Sequence, residues 1–186
     1  AIRADLLQNV PGVVSALVYE NVTDEEDESG LPPHSIEALV YGGSDGDIAR
    51  RIYERRAAGV QPVGSVVVPV MTASGQSLDI KFNRPTPVPI YFNIADLTTN
   101  ASFPTDGNDR IKQALVDYIS GGTSGGLSIG ESVVYNRVPS IIYGVPGVVD
   151  FALTISDDGT TYSTSNIAID AREKAVTDES KVSIST

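Results

Sequence analysis

The sequence predicts an α+β fold built as two small domains of mixed strands and helices, on three observations. Two segments space their apolar residues at the helical period, several short Val- and Ile-rich runs lie between Gly and Pro clusters, and Gln61, Pro62 and Gly64 form a joint between the two sets. A chain of 186 residues is long enough to bury such cores without metal or disulfide staples.

Ile2, Leu6 and Leu7 share one side of a short helix over 1–9, which Pro11 and Gly12 stop. Val13 to Tyr19 reads as a strand, and five consecutive acids, Asp24 to Glu28, followed by Ser29, Gly30, Pro32 and Pro33, read as a loop. Ile36 to Tyr41 is extended again. Asp45 and Asp47 supply the negative charge that a helix N-terminus favours, and Ile48, Ala49, Ile52 and Tyr53 form one apolar stripe before Gly59. Beyond the joint, Ser65 to Met71 and Leu78 to Phe82 form two strands around Ser74-Gly75. Pro85, Pro87 and Pro89 lead into Ile90 to Ile94, at a density that suits an edge or a strand start, because proline cannot donate to a ladder.

Asp106 and Asp109 open a helix carrying Ile111, Ala114, Leu115, Tyr118 and Ile119, closed by Gly121 and Gly122. Ser128 to Tyr135 reads as a strand, Val138 to Tyr143 as a short helix and Val148 to Ile155 as a strand, with a tight turn at Asp157-Asp158-Gly159. Asn166 to Asp170 and Val182 to Ile184 add short strands. One internal repetition stands out: Val10-Pro11-Gly12-Val13-Val14 recurs as Val145-Pro146-Gly147-Val148-Val149, each time between a short apolar helix and a strand. A helix, a Val-Pro-Gly turn and a strand form a unit used twice.

The net charge of −11 argues against nucleic acid and anionic membrane surfaces as partners, since both need clustered Lys and Arg. Without Cys there is no disulfide framework and no thiolate metal site, and a single His makes a His relay or His-based metal site hard to assemble. No apolar run approaches the ~20 residues of a membrane-spanning helix. Aromatic content is 6% and Trp is absent, which weakens a sugar-stacking surface.

Candidate chemistry is sparse. An EF-hand register begun at Glu25 places Asp27 third and Gly30 sixth, but Ile36 falls where the bidentate Glu belongs. A solvated loop or an electrostatic docking surface is the better reading of Asp24 to Glu28. Gly122-Thr123-Ser124-Gly125-Gly126 matches the nucleophile-elbow pattern, but a helix precedes it and a strand follows, the reverse of the order an elbow needs. His34, in a Pro-flanked loop, reads as a turn or packing residue. Asn21-Val22-Thr23 and Asn100-Ala101-Ser102 match glycosylation acceptors too short to carry a role. Arg50, Arg51, Arg55 and Arg56 make a basic helix face, either solvated or an ion-pair surface for an acidic neighbour. No catalytic, cofactor-binding or metal site is expected, and no enzymatic activity.

The ordered series Val10-Pro11-Gly12-Val13, Tyr19-Glu20-Asn21, the acidic loop, Gly30-Leu31-Pro32-Pro33-His34-Ser35, Val40-Tyr41-Gly42-Gly43 and Asp47-Ile48-Ala49 resembles the baseplate J-like proteins of contractile phage tails. Ile80-Lys81-Phe82-Asn83-Arg84-Pro85 and Val145-Pro146-Gly147-Val148 extend the resemblance toward the C-terminus. The resemblance implies a structural baseplate wedge component in the virion tail, assembled in the bacterial host cytoplasm with itself and with other wedge and hub proteins, without catalysis or cofactor. It also implies that the chain is the central and C-terminal part of a longer protein. Domains are expected at 1–63 and 64–186, the second ferredoxin-like. The alternative is a host-surface or carbohydrate-binding tail module, for which Tyr135 and Tyr143 are the aromatic candidates, and a hydrolase using Ser124 is a third.

Overall fold

The computed structural model describes residues 1–121 and 126–186, which form two compact units, Ala1–Pro85 and Thr86–Thr186. In the first unit, α1 (Ile2–Asn9) leads through the Val-Pro-Gly turn into β1 (Val13–Asn21). β1 pairs antiparallel with β2 (Ser35–Gly42), and α2 (Asp45–Arg55) returns the chain to β3 (Gln61–Val63), parallel to β2. A hairpin of β4 (Val66–Met71) and β5 (Ser77–Phe82) completes the unit.

The expected α2 forms for the expected reasons. The Ser44 hydroxyl accepts from the Asp47 amide at 3.3 Å and donates to the Asp47 carboxylate at 2.7 Å, which satisfies an orphan donor of the first turn. Ile48, Ala49 and Ile52 are fully buried, packed in one core with Leu6, Ile36, Ala38, Val40, Ile80 and Phe82. β2 is buried from Ser35 through Val40, as a central strand covered on both faces should be.

That core moves the domain boundary. The sequence reading ends the first domain near Val63, whereas the structure ends the first unit at Pro85, because Ile80 and Phe82 of the hairpin are integral to its core. The supposed joint is a strand: Gln61, Pro62 and Val63 pair with Ser35, Ile36 and Glu37. Gly64 marks close packing here, since a Cβ on it would fall 2.2 Å from the Phe82 carbonyl carbon.

In the second unit, β6 (Thr86–Pro89) pairs parallel with β9 (Glu173–Val176), and β7 (Tyr91–Thr99) is the central strand of a sheet ordered β10-β7-β8. α3 (Gly107–Ile119) and α4 (Val138–Tyr143) both lie on the connection from β7 to β8 (Val148–Ser156), which is antiparallel to β7. β10 (Val182–Ile184) is parallel to β7. The α+β class stands. The ferredoxin-like expectation for this unit does not, because that topology alternates its helices with strands as βαββαβ, and here two helices share one connection.

The proline run behaves as strand chemistry demands. Thr86 donates to the Arg172 carbonyl and Ile90 to the Val176 carbonyl, while Pro87 and Pro89 occupy alternate positions that need give no donor to β9. Ile111, Leu115 and Ile119 of α3 are fully buried against Phe92, Ile94, Val138, Ile142 and Ile155. The expected strand over Ser128 to Tyr135 is absent. Ser128 donates its amide to the Glu131 carboxylate at 2.8 Å and accepts the Glu131 amide, so side-chain capping closes a turn and leaves only Val133 bridged to Ile167. The Asn166–Asp170 stretch contributes no more than that bridge.

Candidate functional site

The acidic loop, 22–34, is tied down from inside. Asn21 is buried, its side-chain amide donating to the Glu25 and Leu31 carbonyls, both at 2.8 Å, while its oxygen accepts from the Thr23 amide and hydroxyl. This use of the amide nitrogen leaves the glycosylation pattern at Asn21 without an accessible acceptor. One Asp27 carboxylate oxygen accepts the amides of Ser29 and Leu31, and Leu31 is buried beneath the loop. His34 has a φ of 49° and its Nε2 lies 2.8 Å from the Asp24 carboxylate, with both side chains exposed. His34 is therefore a turn residue, as expected. Among the described residues no group of three or more His, Cys, Asp or Glu is placed to hold a metal. The exposed carboxylates of Glu25, Glu26 and Glu28 project around this frame.

The arginine face of α2 divides. Arg55 lies 3.1 Å and Arg51 3.7 Å from the Asp5 carboxylate, which is nearly buried on α1 and also accepts from Asn9. Arg51 further pairs with Glu54 at 3.2 Å. Arg56 donates to the Val60 carbonyl and lies over the Tyr53 ring. Three of the four thus tie the unit's own elements together. Arg50 is exposed and has no hydrogen-bond or ion-pair partner among the described residues.

Sequence reasoning missed two polar clusters. Asn83 and Arg84 fasten the exit of the hairpin to β2 and to the start of α2. Asn83 donates to Glu37 at 2.6 Å and accepts from the Ser65 amide and hydroxyl, while its main chain bonds Ala38 and Val40. Arg84 donates to the carbonyls of Val40, Gly42 and Gly43 and pairs with Asp45. In the second unit Lys174 is fully buried, its ammonium donating to the Ile119 carbonyl at the end of α3 and to Ala175, each at 2.7 Å. Burial lowers its pKa to about 8, which the Glu131 carboxylate partly opposes. Asn-Arg-Pro and a Lys inside a strand give no periodic signal, and only the pattern of buried polar groups reveals them.

The remaining candidates separate. Ser124 and most of its pattern lie outside the described residues. The Tyr135 ring packs against the second core and its hydroxyl donates to the Leu153 carbonyl, whereas Tyr143 is 49% exposed with its ring centroid 4.8 Å from that of Phe151. The two tyrosines therefore play different parts. A cavity of about 530 Å³ in this unit is lined by Tyr118, Leu127 and Ile141 with Asp117, Glu131 and Arg137. Among the described residues its lining holds no Ser, Cys, His or Lys.

These features define a two-unit α+β module in which buried and half-buried polar side chains brace its own elements, while a run of acids, Asp24 to Glu28, stands on one surface loop. Its fold is similar to a chain in the cryo-EM structure of the anti-feeding prophage (AFP) baseplate, 6-fold symmetrised, with a TM-score of 0.51 at 14% identity. The likeness covers 95% of this chain and 36% of that one, so this chain spans little more than a third of its length. No family model matches the sequence, and no curated protein is similar to it. Among the described residues no helix is long and apolar enough to cross a membrane.

Proposed function

We propose that this chain is a structural component of a tail baseplate, in the wedge of a contractile phage, prophage or phage-like injection system. It acts there by assembling with itself and with other wedge and hub proteins, and performs no catalysis. The observation that carries the reading is the fold likeness to a prophage baseplate chain over 95% of the residues. The ordered segments resembling baseplate J-like proteins, from Val10 to Val148, support the same reading from the sequence. The internal chemistry agrees with a scaffold: Asn21, Asp5, Asn83, Arg84 and Lys174 all spend their polar groups on holding elements in place. In this role the protein sits in the tail baseplate of particles assembled in the bacterial host cytoplasm. Immunogold electron microscopy with antibodies against this chain should label the baseplate end of intact particles. Label confined to the capsid or to the host wall would overturn the proposal.

A further inference from the structure

A groove of about 350 Å³ runs along the first unit between α2 and β4, lined by Gly46, Arg50, Tyr53 and Glu54 on one side and Val68 to Met71 on the other. Its floor and rim are apolar: Val68 and Val70 pack on the core, while Met71 is 66% exposed and Pro69 is exposed beside it. Arg50 on the wall is the arginine of α2 that has no hydrogen-bond or ion-pair partner among the described residues, and the one acid of the lining, Glu54, is already paired with Arg51. The groove thus offers an apolar trough with one unspent cation.

An added β-strand is a poor occupant. Among the described residues β4 is hydrogen-bonded to β5 alone, so its other edge is free. Pro69 sits mid-strand, opposite Asp79, and is tolerated only where its missing N–H points away from β5. That position interrupts the free edge halfway along, and a continuous ladder cannot form there. A short protruding turn with an apolar side chain next to carboxylates fits better.

This chain carries such a turn. Val22 is 70% exposed and lies one residue short of Asp24, Glu25 and Glu26, across Thr23, and those three acids are exposed on a loop braced by Asn21. Within one copy the loop joins β1 to β2 at the Asn21–Ser35 end of their ladder, whereas α2 starts beyond the opposite end, at Gly42. We propose that the acidic loop of one copy docks in the α2–β4 groove of a second copy, with Val22 against Pro69 and Met71 and the carboxylates of Glu25 and Glu26 on Arg50. Donor and acceptor are different surfaces, so the contact is heterologous, and it builds a ring where the rotation between copies closes. The contact deepens the assembly reading above and rests on it, while its test needs no particle.

The test is the mass of the purified chain in sedimentation, followed from micromolar to millimolar concentration at low and high salt. The weight-average mass should rise above the 19.6 kDa of one chain with concentration, and less so at high salt. Arg50→Glu and Val22→Asp, both at exposed positions, should each weaken association by about tenfold or more while leaving the thermal unfolding midpoint unchanged. Mixing Arg50→Glu with Glu25→Arg/Glu26→Arg should restore association that neither variant shows alone. A chain that stays at the monomer mass throughout, variants that associate as tightly as the parent, or a charge swap without rescue would each overturn the contact. None of those outcomes bears on where antibodies label a particle, so a failed docking model and a failed baseplate reading are told apart.

Discussion

The two Val-Pro-Gly turns are the same device in two settings. Gly12 and Gly147 have φ angles of 80° and 83°, and Val13 and Val148 donate back to Val10 and Val145 at 3.3 and 3.4 Å. Each turn buries its first Val and feeds a strand antiparallel to a central one, β2 or β7, which has a parallel partner on its other side, β3 or β10. Each unit also packs two helices together, α1 with α2 and α3 with α4. The chain visits these parts in different orders, α1-β1-β2-α2-β3 in the first unit and β7-α3-α4-β8-β10 in the second. Local turn chemistry therefore travels with the helix–strand step, while the order of connection does not matter to it.

What differs is who makes room for the turn. In the first unit a Cβ on Gly12 would meet Gly43 at an ordinary 3.5 Å, and the crowding falls on Gly42, whose Cβ would lie 2.1 Å from the Gly12 carbonyl oxygen. In the second unit Gly147 itself is crowded, its Cβ falling 2.2 Å from the Phe103 amide. Gly147→Ala should accordingly cost about 3 kcal/mol or more, since backbone must move, whereas Gly12→Ala should cost only the left-handed strain of about 1–2 kcal/mol. Chemical denaturation of the two variants checks this. Equal losses would mean that the turns are equivalent after all.

The second contrast lies in the polar clusters. Arg84 braces the first unit from a half-buried site, through the carbonyls of Val40, Gly42 and Gly43 and the Asp45 carboxylate, and Arg84→Ala should cost about 2 kcal/mol and open the 64–85 hairpin to protease before the rest of the unit. Lys174 braces the second unit from a buried site. Its folded pKa of about 8 lies below the ordinary 10.5, so between those values the unfolded chain binds more protons and stability from this group rises with pH. That gain is lost as pH falls through 8. Above pH 10 the burial-raised pKa values of Tyr41 and Tyr118 work in the other direction, which makes pH 8 to 10 the window to watch. Calorimetry of the parent and of Lys174→Met should show this upward slope in the parent and a flatter one in the variant. An identical slope in both would remove Lys174 as its source.

These contrasts also mark what could be read from residues alone. α2 and α3 were legible because Ile48, Ala49, Ile52 and Ile111, Leu115, Ile119 carry the helical period on their own, and the β4–β5 hairpin because Ser74-Gly75 sits between two apolar runs. β3 and β9 were not, since Gln61-Pro62-Val63 and Glu173-Lys174-Ala175-Val176 are strands only by virtue of partners far away in the chain, β2 and β6. The boundary at Pro85 was hidden for the same reason, because the hairpin's allegiance is set by the burial of Ile80 and Phe82 and by Asn83 and Arg84 reaching β2. Of the surfaces in the proposed contact, the acidic loop was plain, but the division of the arginines depended on Asp5, an acid on a different helix that takes Arg51 and Arg55, and on the Val60 carbonyl that takes Arg56.

The smallest expected effect separates the two surface loops, 22–34 and 157–162. In the second unit Asp158 organises its loop by accepting the amides of Thr161 and Thr160 and the Ser156 hydroxyl, bonds that hold its carboxyl well below the usual carboxylate range. The first unit's loop instead holds His34 in the left-handed region, at a cost of about 1 kcal/mol, and returns only an exposed contact with Asp24. His34→Gly removes the strain and the contact together while loosening the unfolded chain. These terms nearly cancel, so the midpoint should move by no more than about 5 °C in either direction. A loss above about 2 kcal/mol would show that the His34–Asp24 contact holds the loop, and would place the brace at the rim instead of at Asn21.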